Sequence, residues 1–98
     1  MTGYKLQPEA ENDLEAIWHH TAKKWGVEQA MQYVDAFDEA FQFLADNPLV
    51  ARERTEFTPT VRIHSFQKHL IVYISDGSTV IIIRLLHAHM DIDEQLSQ

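Results

Sequence analysis

The chain has 98 residues, is 45% hydrophobic, has no cysteine and carries a formal charge of −7. That length suits a single domain over residues 1–98 whose core needs no metal or disulfide, and the missing cysteines exclude a disulfide framework and a thiolate zinc centre. Residues 1–49 hold three lysines against nine Asp and Glu, while residues 50–98 hold five Lys and Arg against six acids; an acidic total argues against a general nucleic-acid binder, which draws its affinity from cations set against phosphates.

The opening MTGYKLQPEAEND has no basic segment followed by an apolar run, and no apolar stretch is long enough to span a bilayer. A soluble cytoplasmic protein is expected. Gly3 to Leu6 reads as a brief first strand. Pro8 suits the first position of a helix, where its missing N–H has no helical partner, and Glu9, Glu11 and Asp13 favour the positive end of the helix dipole. Ala10, Leu14, Ile17, Trp18, Ala22 and Trp25 follow at spacings of three and four, and Gly26 stops the helix. A second helical stripe runs from Val27 through Ala30, Val34, Phe37, Phe41 and Leu44 to Asn47-Pro48. So short a junction folds the two helices back as antiparallel neighbours.

Leu49 to Pro59 mixes charges without a period and reads as a connecting loop. Val61 to Phe66, His69 to Ser75 and Thr79 to Leu86 then read as three strands. Gln67-Lys68 turns between the first two, and Asp76-Gly77 is a tight-turn dipeptide between the last two. Thr79 to Leu86 is apolar at almost every position, as befits a central strand covered on both faces. The tail from Asp91 to Gln98 is polar and is expected to form one frayed helical turn. The fold class is therefore α+β: an N-terminal helical hairpin on a small antiparallel sheet, in the order β-α-α-β-β-β with a short C-terminal helix.

Residues 62–91 collect four of the six histidines and two of the four arginines. Alternation puts Arg62 and His64 on one face, and Arg84 with Val80, Ile82 and Leu86 on one face. A guanidinium in so apolar a strand needs an acidic partner from the helices or an anionic ligand. Arg62, His64, His69, Arg84 and His87 include the types that cleave RNA, cations for a phosphate and imidazoles for proton transfer; spacing alone does not make them converge. His87-Ala88-His89 is a weak metal signal without further ligands, so no metal and no cofactor are expected. His19-His20 lies in the first helix and cannot share a site with them.

The segments LQPEAENDLEAIW, KKWGVEQAMQY, FLADNP, VRIHSFQKHLIVY and IIIRLLHAHMD, in this order, resemble a toxin of the ParE branch of the RelE/ParE superfamily over nearly the whole chain. The resemblance implies a toxin encoded beside an antitoxin, inhibiting DNA gyrase and neutralised by a ParD-type antitoxin in a hetero-oligomer, with no direct contact to nucleic acid or membrane. It implies an antitoxin helix against the hairpin, at Trp18, Trp25, Tyr33, Phe37 and Phe41, and gyrase contacts in the tail at Asp91, Asp93, Glu94 and Leu96. RelE-type relatives instead cut messenger RNA on the ribosome using basic residues of the sheet, and Arg62, His64, Arg84 and His87 would carry that role here. The loop before Arg62 lacks the RelE lysine cluster, however, and Met90-Asp91 stands in place of the terminal aromatic, which favours a toxin that acts by binding a protein. A regulatory module that only binds the antitoxin is the third reading.

Overall fold

A computed structural model describes residues 3–88 and Leu96. The order is β1 (Gly3–Leu6), α1 (Pro8–Trp25), α2 (Val27–Asp46), β2 (Glu53–Arg54), β3 (Val61–Phe66), β4 (His69–Ser75) and β5 (Thr79–His87). Pro8 opens α1, with Glu9 and Glu11 in the first turn and Lys23 and Lys24 in the last, each sign at the pole of the dipole that favours it. Gly26 alone joins the helices. Its N–H donates to Ala22 O at 2.9 Å and its carbonyl accepts from Ala30 N–H at 3.1 Å, so one residue closes α1 and opens α2. Its φ of 100° is the reason for glycine, since an added Cβ would meet nothing within 4 Å.

The strand order is β1-β5-β4-β3-β2. The sheet is mixed rather than wholly antiparallel, because β1 lies parallel to β5, with Gly3 opposite Thr79 and Leu6 opposite Ile82. Two helices follow β1 before any other strand forms, and local pattern cannot say which later strand it will join. The two-residue β2, within the stretch read as a loop, pairs Glu53 with Arg62 and Arg54 with Val61.

β5 has cores on both sides. Against the helices, Phe37, Phe41 and Leu44 meet Ile71, Tyr73, Val80, Ile82 and Leu85; on the far face, Val72 and Leu86 meet Val61 and Phe57, with Leu96 packed alongside. The pairing of β4 with β5 jumps from Val72–Arg84 to Tyr73–Ile82, leaving Ile83 as an extra residue. That bulge inverts the alternation, so Leu86 belongs to the opposite core from Val80 and Ile82, contrary to strict period two.

The β4–β5 turn is centred one residue later than the Asp76-Gly77 dipeptide suggests. Asp76 N–H donates to Thr79 O at 3.2 Å, which makes Gly77 and Ser78 the central pair. Gly77 takes φ 95°, as the first central residue of a type II′ turn must. The Asp76 carboxylate accepts from the N–H groups of Ser78 and Thr79 at 3.0 and 2.7 Å, bonds that hold its carboxyl below the usual carboxylate range.

Candidate functional site

The Arg84 guanidinium is committed to α1. Its Nε donates to Asp13 Oδ2 at 2.8 Å and its Nη2 to Asp13 Oδ1 at 3.2 Å, while the Leu85 N–H reaches the same Oδ2 at 2.9 Å. The backbone explains the last bond. β1 ends at Leu6, and Gln7 N–H still donates to Ile82 O at 2.9 Å, but past that point β5 has no strand on this side. Asp13 supplies the acceptor that a longer β1 would have supplied. Donation to the Asp13 carboxylate also raises the pKa of Arg84, keeping its charge fixed.

Arg62 is tied in the other direction. Its Nη1 donates to the Ala51 carbonyl and its Nη2 to Glu53 Oε1 at 3.3 Å, holding the segment before β2 onto the sheet. His64 shares that side and lies against Phe43 of α2, ring centroids 5.7 Å apart. Tyr73, buried under α2, donates from its hydroxyl to Pro48 O at 2.9 Å, and burial pushes its pKa up. Arg62 and Arg84 sit on strands separated by β4 and bond to different elements, the chain at β2 and the helix α1. Arg62, His64, Arg84 and His87 therefore do not form one cluster.

A different group does converge. His69 and His87 are paired across β4 and β5, with ring centroids 5.5 Å apart. The Tyr33 hydroxyl of α2 lies 3.0 Å from His69 Nδ1, and the Phe37 ring stands 5.5 Å from the same imidazole. Burial, and then the neighbouring His87, lower the His69 pKa, while burial raises that of Tyr33. Sequence reading placed Tyr33 among the antitoxin contacts of the hairpin and did not connect it with the sheet histidines. The link to His69 spans 36 residues and no local pattern announces it.

The hairpin residues expected to meet an antitoxin separate into three groups. Phe37 and Phe41 are 0% and 1% exposed, filling the space between α2 and the sheet, so a partner docking on the folded surface cannot touch them. Tyr33 is half-buried against His69. Trp25 is 68% exposed at the helix junction, and Trp18 lines an open groove of about 300 Å3 with Leu6, Leu14 and Val34, rimmed by Glu11 and Glu15. Further exposed apolar side chains that the sequence reading passed over are Met31 on α2, Phe43 near its end, and Leu49 and Val50 just beyond. Of the tail positions, Asp91, Asp93 and Glu94 lie outside the described residues, and Leu96 is half-buried against the far-side core. The expected C-terminal helical turn also falls outside them, except at Leu96. Among the described residues no helix is long and apolar enough to cross a membrane, and no group of three or more His, Asp or Glu is placed to hold a metal ion.

The family model described as ParE toxin of type II toxin-antitoxin system, parDE, matches residues 4–92. Toxin ParE1 of Mycobacterium tuberculosis is 37% identical over 94 residues, covering 95% of this chain and 96% of that protein. Toxin ParE1 of Caulobacter vibrioides is 31% identical over 91 residues, 93% of this chain and 94% of its own length. Toxin ParE of Escherichia coli is 28% identical over 98 residues, with 99% and 95% covered. A solved chain of the chromosomal ParDE TA system from P. aeruginosa shares the fold at a TM-score of 0.77 and 23% identity, over 91% of this chain and 98% of that one. With the model spanning nearly all of its length, the chain belongs to the ParE toxin family of type II toxin–antitoxin systems.

Proposed function

We propose that this protein poisons DNA gyrase in the cytoplasm and is silenced by a ParD-type antitoxin. Family membership supports the toxin role. The observation that carries the choice of a protein target over RNA is the commitment of both sheet arginines: Asp13 takes Arg84, and Ala51 and Glu53 take Arg62. Cleavage of RNA needs cations aimed at a phosphate beside an imidazole, and an acidic chain attracts the polyanion poorly.

For the antitoxin, the groove bounded by Leu6, Leu14, Trp18 and Val34 suits the apolar face of an amphipathic helix. Glu11 and Glu15 on its rim call for lysine or arginine on the partner, so association should weaken with salt. Gyrase contacts are assigned to the acidic tail, Asp91, Asp93 and Glu94, with Leu96 anchoring it.

The test adds purified protein to gyrase with supercoiled plasmid and, in parallel, to translating ribosomes. Accumulation of cleaved gyrase–DNA complex is expected, with intact messenger RNA. Cuts in the message without any effect on gyrase would replace this reading with the ribonuclease one, and inertness in both assays would leave an antitoxin-binding module. Replacing Asp91, Asp93 and Glu94 together by alanine, which retains Leu96, is expected to abolish gyrase poisoning; full activity would remove the tail from the interface.

A further inference from the structure

His69 and His87 occupy directly paired positions at the open end of the β4–β5 ladder, their rings inclined at 73° with centroids 5.5 Å apart. Two imidazoles bound to one ion at about 2.0–2.1 Å, with a tetrahedral angle between the bonds, hold their centroids roughly 5 Å apart. The observed pair stands close to that separation without any change of strand register. Both rings are part-exposed.

We propose that His69 and His87 form a two-imidazole site for a borderline divalent transition ion, of which Zn2+ is the probe, with Tyr33 orienting His69. Tyr33 Oη is 3.0 Å from Nδ1 of His69. An ion on Nε2 fixes the proton on Nδ1, which then donates to the tyrosine oxygen; ligating histidines are normally held by such an outer partner. Imidazole nitrogen selects zinc, nickel or copper over magnesium or calcium. With two protein ligands the ion keeps water in its other positions, so the site binds more weakly than a four-ligand structural centre. Its effect would be to join the end of β4 to the end of β5 beneath α2. This site is independent of which macromolecule the toxin poisons.

The test is a titration of the untagged full chain, stripped with EDTA, with ZnCl2, followed by calorimetry and by the imidazole resonances in NMR. One equivalent is expected to bind saturably and to move the His69 and His87 resonances together. His87→Ala and His69→Ala are each expected to weaken binding at least tenfold, whereas the double variant His19→Ala/His20→Ala retains it. Should His69→Ala fail to fold, His87→Ala, at the strand terminus, carries the test. Tyr33→Phe is expected to lower affinity about tenfold, and an unchanged affinity would overturn its orienting role. Absence of saturable binding, undiminished affinity in His87→Ala, or loss only in the His19/His20 variant overturns the site.

Discussion

The hydroxyl of Tyr33 on α2 and Nδ1 of His69 on β4 lie 3.0 Å apart, a polar link between the helical layer and the sheet at the edge of an otherwise aromatic contact. Its strength follows the protonation of His69. Burial and the facing His87 depress the folded-state pKa of His69 below its ordinary 6.5, so the unfolded chain binds the proton more readily. Stability is then complete above about pH 6.5 and declines as pH falls through that value towards the folded pKa. Urea midpoints measured from pH 7.5 to 5 in metal-free buffer should fall more steeply for the native chain than for His69→Gln. Parallel profiles would show that His69 titrates alike in both states.

Asp13 satisfies two donors besides the inner nitrogen of Arg84, so removing it leaves a guanidinium and an N–H group without an acceptor. With side-chain exposures of 27% for Arg84 and 18% for Asp13, solvent tempers the loss. Asp13→Ala should cost about 2 kcal/mol, read from the urea midpoint. A cost under half a kcal/mol would mean that water replaces the carboxylate with ease.

Phe41→Ala should cost roughly 3–5 kcal/mol, because its ring fills the core beside Phe37 and Tyr4. Trp25→Ala, at the exposed junction, should change stability by less than about 0.5 kcal/mol. Trp18→Ala is the variant expected to reduce antitoxin affinity with little effect on folding. Equal losses of stability for Phe41 and Trp25 would contradict the observed packing.

Two backbone positions should respond with opposite signs. Gly26→Ala places a Cβ at φ 100° and is expected to destabilise by about 1 kcal/mol. Gln67 already holds φ 55° in the β3–β4 turn, so Gln67→Gly relieves a left-handed side chain and should be neutral or stabilising by a few tenths of a kcal/mol. Thermal melts of both variants check the pair; the same sign in each would refute the conformational argument.

Pro8, Gly26 and Asn47-Pro48 made the helix ends legible, since each acts through its own backbone chemistry. The three consecutive strands were legible for the same reason. What the residues did not disclose depends on distant partners. The parallel place of β1 is set by β5, some 76 positions on along Gly3–Thr79. The bulge at Ile83 is decided by the match to Val72 and Tyr73. Arg84 announced its need of an acid but not which one, because several carboxylates of α1 share the same turn or two. Phe37 and Phe41 were read both as core and as antitoxin contacts, and packing admits only the first. The Tyr33–His69–His87 group needed three elements to be in place before it existed.

Tyr73 and Arg62 fasten the chain leaving α2 by donating to the carbonyls of Pro48 and Ala51, not to their side chains. Any residue offers a carbonyl, so the path of this segment is insulated from much of its own composition. Leu49, 73% exposed, and Val50 lie between the two anchors. The side chains that a partner can read there are thus free to change while the path of the backbone stays put.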